Sequence, residues 1–465
     1  MNLEHDLKKL LPWAKIYPSS LSITPEGQAL MLHRQGKDLL AVSGSLRELF
    51  EGTDEGEVRI CPLTHKNRLA LNYAFPHTAP RAFGRNIPTF GFGDRLGYAN
   101  PMQLASLEGT GFLPVLAQQS MRELSLMGRS YKQVIDTASW AVFRQGWTQG
   151  FAADGDHLKT LEEVKFALAA GCTMITLDCS LVMCLPPDCA PGRGHWPADY
   201  LQNSAVEELG LRFDDDILEQ LEQIYIGAFV LTRDVVEQAI KPACRPISLE
   251  LSVDETEQLT SPEAHYYIAN ELRRADVEIT SLAPRFVGEF HKAVDYIGNP
   301  DDFAAQLRRH ASIADYFGHK LSLHSASEKY SVFPAFARET RGRCHVKTSG
   351  TSWLEAVECI AKQAPSLYRD MHAKALECFE DAKKLYMVHC DPGRIPALDT
   401  LSDSQLPTLL EMSSGDSRQL MHITYGFILD ERDLSERLYA FMEKHRSFYE
   451  AEALDLYRRH LELLK

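Results

Sequence analysis

The stretch Asp154-Gly155-Asp156-His157-Leu158-Lys159 sets two carboxylates, an imidazole and an amine side by side. It follows a short apolar run, Gly150-Phe151-Ala152-Ala153. It precedes Thr160-Leu161-Glu162-Glu163-Val164, the start of a helix-like run that reaches Ala170. The pattern is a strand that ends in a polar cluster and then passes into a helix.

The same grammar recurs on both sides of it. Thr89-Phe90-Gly91 leads to Asp94 and Arg95, and Leu113–Ser120 carries Gln118 and Gln119 near its end. The decisive stretch is third, and Met174–Cys179 ends in Asp178. Ile247–Thr256, Ile279–Arg285, Lys320–Ser325 and Cys344–Gly350 follow. Helical patterns lie between, over Met121–Phe143, Leu161–Ala170, Ala205–Ala239, Pro262–Asp276 and Asp301–Phe317. Eight strand-then-helix units predict an α/β chain folded as a (β/α)8 TIM-type barrel, whose chemistry gathers at the C-terminal ends of the strands. An open doubly wound sheet is the rival, disfavoured by the even run of eight.

Three regions are expected. Residues 1–85, with short β-like runs and turn residues, form a small β-rich N-terminal region. Residues 86–352 form the catalytic barrel, and residues 353–465 a helical C-terminal region. The last stretch, Asp430–Lys465, is a charged helical pattern read as packing or oligomer contact.

Strand parity sharpens the barrel, because alternate side chains face opposite ways. In the fifth strand Leu249, Leu251 and Val253 form one face, leaving Glu250, Ser252 and Asp254 for the interior. In the seventh, Lys320, Ser322 and His324 share the inner face. In the eighth, His345 and Lys347 do. A polar interior near the mouth implies a binding site.

Composition sets limits. The 465 residues are 45% hydrophobic and carry a net charge of -15, so a nucleic-acid partner gains no support. No apolar run reaches membrane-span length, and the opening Met1-Asn2-Leu3-Glu4-His5 does not read as a signal peptide. The expected location is cytoplasmic, with no membrane partner. The ten cysteines contain no C-x-x-C pair, and Cys179, Cys184 and Cys189 do not match a zinc knuckle. Reduced, mostly packed thiols are the expectation.

The candidate chemistry lies at the strand ends. His157, His324 and His345 are expected to hold one divalent cation (Zn, Mn, Fe or Ni suit imidazole and carboxylate). Taken singly, each is as readily a hydrogen-bonded histidine of the rim. Asp154 and Asp156 compete for the general base, and Gly155 favours a bulge that blurs parity there. Asp254, across the mouth, is the candidate acid. Arg95, Gln119, Lys159, Arg285, Lys320 and Lys347 are the candidate substrate-binding residues, their cations suited to an anionic sugar acid. A Schiff base on Lys320 or Lys347 ranks second. The bland alternatives are helix caps for the carboxylates and local ion pairs for the cations. Gly91–Gly97 lacks the G-x-G-x-x-G spacing and is set aside as a dinucleotide loop.

Together, several of these stretches resemble the tagaturonate epimerase family. They are Gly91–Gly97, Ala117–Ser120, Asp154–Lys159, Ser252–Thr256, Ser281–Glu289, Lys320–Ser325 and His345–Glu355. The resemblance covers most of the chain from about residue 89 onward. It implies an isomerase: a metal-dependent epimerase of hexuronate catabolism that interconverts D-tagaturonate and D-fructuronate, with a small ketouronate as partner. These sugars differ at C4, whose hydrogen is not adjacent to the C2 ketone. Simple enolisation therefore does not reach it. Retro-aldol cleavage between C3 and C4 is one route and direct proton transfer another, and both use the same residue types. The alternatives are a metal-dependent aldolase that releases its fragments, and a non-catalytic sugar-acid binding protein. A homo-oligomer is left open.

Overall fold

The computed structural model describes residues 3–183, 198–256, 258–386 and 388–465. Cys184 and Cys189 lie outside them. All eight cysteines within the described residues are free thiols, seven of them buried.

The N-terminal region is an antiparallel sheet of six strands: β1 (Lys15–Ile16), β2 (Ser22–Thr24), β3 (Gly27–Arg34), β4 (Lys37–Ser43), β5 (Thr53–Glu55) and β6 (Val58–Pro62). The β3–β4 hairpin turns on Gln35 and Gly36, both at positive φ (52° and 74°), which suits the twist of a two-residue hairpin. Alternation gives the sheet two apolar faces. Met31, Leu40, Val42 and Cys61 pack against Trp140 and Phe143 of the helix Tyr131–Gln145. Leu30, Leu32, Ala41 and Ile60 cover Leu3 and Leu7 of the first helix, Leu3–Leu10.

The eight expected strands form one closed parallel barrel: β7 (Thr89–Gly91), β8 (Leu113–Ser120), β9 (Ala152–Leu158), β10 (Met174–Asp178), β11 (Ser248–Ser252), β12 (Ser281–Ala283), β13 (Lys320–Leu323) and β14 (Cys344–Lys347), with β14 pairing back to β7. The expected bulge is present. Gly155 pairs with Ile175 and Leu158 with Leu177, so Asp156 and His157 together oppose a single residue of β10. Thr160 then caps the helix Leu161–Ala170 through a reciprocal capping box with Glu163. Such caps contribute about 1 kcal/mol and fix where β9 stops and the helix starts. The single helix expected over Met121–Phe143 is instead two, Met121–Met127 and Tyr131–Gln145. Gly128 (φ 59°) closes the first, and Ser130 opens the second with its own capping box.

The C-terminal helices are built onto the barrel rather than hung from it. One continuous hydrophobic core runs from Phe83 to Leu464. Trp353 is fully buried and donates its indole N–H to the Met421 carbonyl at 2.8 Å. The final helix, Arg446–Glu462, meets Phe92 and Gln103 through Tyr457. Its Arg446 grips Asp38 of β4 with both terminal nitrogens, at 3.2 and 2.8 Å, tying the last helix to the N-terminal sheet. The expectation of a packing role for this stretch agrees with these contacts.

Candidate active site

A cavity of about 640 Å³ opens at the C-terminal ends of the barrel strands. Asp156, His157, Asp254, His324 and Lys347 line its barrel side. Arg285, Glu289, His291 and Lys292 line it from the segment after β12, and Tyr386 and His389 from the C-terminal region.

His157 and His324 follow from strained strand ends. His157 has φ 53°, and Ser325, just past His324, has φ 49°. Non-glycine residues at such angles cost on the order of 1–3 kcal/mol and collect where function requires them. The two rings stand 4.9 Å apart, although β9 and β13 stand opposite each other in the closed order. Donor atoms of His157, His324 and Asp254 all lie within 4.8 Å of one another.

Each imidazole is held from behind by a carboxylate. Asp156 Oδ1 meets His157 Nδ1 at 2.7 Å, and Glu250 Oε1 meets His324 Nε2 at 2.7 Å. Carboxylate–histidine pairing of this kind fixes the ring and leaves the other nitrogen for a metal. That other nitrogen of His324, Nδ1, is buried without a hydrogen-bond partner. Asp254 Oδ1 stands 3.2 Å away, out of hydrogen-bonding alignment. Burial opposes a charge on His324, but Asp254 and Glu250 raise its pKa to about 10, so the pocket favours positive charge at this point. Orphaned nitrogen, flanking carboxylates and favourable potential fit a divalent cation.

Below this layer lies Lys347. Its Nζ is 2.7 Å from Asp156, 3.0 Å from Asp154 and 3.2 Å from Glu250. Burial disfavours its charge, yet the three carboxylates hold its pKa well above the usual lysine value. Burial likewise works against ionised Asp156, and Lys347 with His157 holds that carboxyl well below the ordinary range. Asp154 goes the other way. It is fully buried, and desolvation raises its pKa despite Lys347.

The structure brings some of the expected residues together and separates others. His345 is not with the other two histidines. It sits deeper, paired in register with Thr89 at the start of β7, with Nδ1 3.0 Å from the Thr89 hydroxyl. Burial lowers its pKa to about 3, so the ring is neutral. Lys320 opens β13 at the far end of the barrel and donates to the same Thr89 hydroxyl at 3.2 Å. Burial lowers its pKa to about 8. Parity separates Gln118 from Gln119: Gln118 lines the cavity and donates to the Thr348 carbonyl, while Gln119, wholly buried, does not line it. Lys159 pairs with Asp178 at 3.0 Å beside the mouth. Arg95 touches the cavity but is 1% exposed, paired with Glu123 at 3.0 Å and stacked 3.7 Å over Tyr425. Arg285 lines the cavity.

Sequence reasoning missed Glu289, His291, Lys292 and His389. Glu289, His291 and Lys292 lie on the irregular segment after β12 and His389 on one after the helix Pro365–Lys383, where neither periodicity nor parity points anywhere. Lys292 is the most telling. Its Nζ donates to Ser325 Oγ at 3.0 Å, and burial, with Arg122 nearby, lowers its pKa.

A closed parallel barrel gathers carboxylates, imidazoles and cationic side chains at its mouth, and comparison with known proteins makes the chain an isomerase. The sequence profile described as tagaturonate epimerase matches residues 17–184 and 192–464, and the chain belongs to that family. A tagaturonate/fructuronate epimerase of Thermotoga maritima is 38% identical over 419 residues, 87% of this chain and 86% of that protein. The native crystal structure of a fructuronate-tagaturonate epimerase from Cohnella laeviribosi superposes with a TM-score of 0.90 at 40% identity, covering 99% of each chain. A glycerol complex of the same Cohnella enzyme matches equally well, with a TM-score of 0.90 at 40% identity over 99% of each chain. Among the described residues, no helix is long and apolar enough to cross a membrane.

Proposed function

We propose that this chain interconverts D-tagaturonate and D-fructuronate with the help of one divalent cation held by His157, Asp254 and His324. The observation that carries the reading is the pair of facing imidazoles, each backed by a carboxylate, with Asp254 between them in a chain of this family. A cation there supplies Lewis acidity to the oxygens of the ketose. Asp254, assigned on sequence grounds as an acid, takes the role of ligand in this reading, and His345 drops out of the ligand set.

The remaining work belongs to the chain. Asp156 borders the cavity as a carboxylate kept ionised by Lys347 and accepts the proton of the C4 hydroxyl. As O4 becomes a carbonyl, the C3–C4 electron pair moves to C3 and into the former ketone, leaving an enediolate and a three-carbon aldehyde. The aldehyde turns, and the C3–C4 bond forms again on its other face. The new C4 alkoxide takes back a proton. Lys292 and Arg285 line the cavity from the segment after β12, where cationic groups suit the C6 carboxylate. Lys347 is enclosed by three carboxylates, a setting that favours a counter-ion role over that of a Schiff-base nucleophile. Direct proton removal and return at C4 is the competing route.

Turnover of D-tagaturonate by chelator-treated protein, before and after Mn²⁺ is restored, tests the reading. Fructuronate formed only with the cation present supports it. Equal turnover without the cation overturns it. Trapping a three-carbon aldehyde during turnover distinguishes cleavage from direct proton transfer, which would place solvent deuterium at C4.

A further inference from the structure

A second group of donor atoms stands at the rim of the same cavity and shares no residue with the first. Glu289, His291 and His389 place one ligand atom each within 4.8 Å of the others. His291 Nε2 is 2.6 Å from Glu289 Oε2, and His389 Nε2 is 3.4 Å from the same oxygen. The two rings stand 4.2 Å apart and nearly perpendicular, at 77°. His291 is buried at 6% exposure, whereas the Glu289 and His389 side chains are 46% and 65% exposed. The group is therefore anchored on one side and open on the other.

The backbone beneath it is unusually well fixed for a loop. Glu289 and Ile297 exchange both backbone hydrogen bonds, at 2.8 and 3.1 Å, which closes the segment at its base. Ala293, at its tip, has φ 63°, a strained angle for alanine. Lys329 is fully buried and directs its ammonium at the carbonyls of His291 (2.8 Å), Val294 (2.5 Å) and Ser327 (3.0 Å). Arg418 Nε donates to the Ala293 carbonyl at 2.9 Å, and Gln419 Nε2 to the Lys292 carbonyl at 3.1 Å. Burying a lysine to hold carbonyls is costly unless every donor is used, and here all three are. The expense falls on a loop whose outward product is the orientation of His291 and Lys292.

We propose that Glu289, His291 and His389 form a second site for a divalent transition cation. The ion joins the segment after β12 to the C-terminal region, and its open positions receive the carboxylate of the substrate. Two imidazoles and one carboxylate suit Mn, Co, Ni or Zn. The assignment of the carboxylate rests on the sugar-acid reading above; the cation site does not.

Equilibrium dialysis of chelator-stripped protein against Co²⁺, with metal counted per chain, separates the two. The wild type is expected to bind two ions. His389→Ala and Glu289→Gln, both at exposed side chains, should each bind one, with the retained ion's affinity changed less than about threefold. His324→Ala should also bind one, keeping the rim ion. A wild-type count that His389→Ala leaves unchanged, whether one or two, overturns the site. A single ion lost in both His324→Ala and His291→Ala overturns it too, because His291 would then belong to the strand-end group. For the carboxylate, His389→Ala should raise KM for the hexuronate at least tenfold while kcat moves less. An unchanged KM in a variant that has lost its rim ion overturns that half. A wild type that binds two ions but epimerises nothing defeats the reaction reading and leaves the rim site standing.

Discussion

His157 and His324 leave the barrel from opposite strands, and their rings meet 4.9 Å apart over its mouth. The His324 ring follows from the parity of β13, whereas the His157 ring depends on a bulge at Asp156–His157 and on its own positive φ.

If the two imidazoles and Asp254 hold a cation, the residues behind them set its affinity. Glu250→Gln and Asp156→Asn should each weaken Mn²⁺ binding about 10–100-fold, the usual cost of losing an outer carboxylate. His157→Ala and His324→Ala should weaken it further. His345→Gln should leave it unchanged, because that ring faces Thr89. Metal-binding isotherms decide between them.

Lys347 and Lys320 offer a paired test of buried charge. Lys347→Met strands Asp154, Asp156 and Glu250 without their counter-ion, and a loss of about 3–5 kcal/mol is expected from urea unfolding. Lys320 has no carboxylate within ion-pair reach among the described residues, and burial already weakens its charge. Lys320→Met should change stability by less than about 1.5 kcal/mol. Borohydride added during turnover should leave the protein mass unchanged, since Lys347 stays protonated.

A chain of three buried histidines predicts acid sensitivity away from the cavity. His265 Nδ1 meets His310 Nδ1 at 3.0 Å, and His265 Nε2 meets His319 Nε2 at 2.8 Å. Burial lowers His310 to about 4 and His319 to about 3, and drives His265 well below its normal value. The folded protein thus binds fewer protons than the unfolded chain below about pH 6.5. Stability should be full above that pH and fall as the pH drops towards 4, by up to about 1.4 kcal/mol per pH unit for each histidine. Urea midpoints of wild type and His310→Gln at pH 7 and pH 5 should show the shallower fall in the variant.

Gly91 is predicted to be irreplaceable for catalysis. A Cβ there would lie 1.8 Å from Gln118 Oε1 and 3.1 Å from His345 Cε1. Gly91→Ala should push Gln118 out of place in the cavity wall and lower kcat/KM on the order of 10–100-fold. The far-ultraviolet circular dichroism should be unchanged. A variant with full activity would show that Gln118 is not positioned for the substrate.

The barrel was legible because each strand announces itself twice, by β-branched or apolar residues and by a polar end. β8 and β13 begin where the sequence places them, and the Gly155 bulge was visible as glycine in a strand. Parity also placed Glu250 and Lys347 inside the barrel. What parity leaves open is depth. His345 and Lys347 share a face of β14 but belong to different layers, and Lys320 shares a face with His324 from the opposite end of β13. Depth depends on the stagger between strands, which no single strand encodes. Glu289 and His291 escaped because tertiary packing by Lys329 and Arg418, rather than local sequence, fixes their segment, and His389 because it reaches the mouth from the C-terminal region.

The contribution of His389 and Tyr386 to the cavity, together with the clasp between Arg446 and Asp38, bears on how the molecule comes into being. A ribosome making this chain releases Tyr386 and His389 of the mouth after every strand of the barrel. β14 closes the ring against β7, yet Tyr386 and His389 follow Lys347 by about forty residues. A nascent barrel therefore holds its cluster of buried charges without a completed pocket around it. Enzyme activity should appear only after Tyr386 and His389 have been made and packed against the ring, as a late event in the life of each molecule.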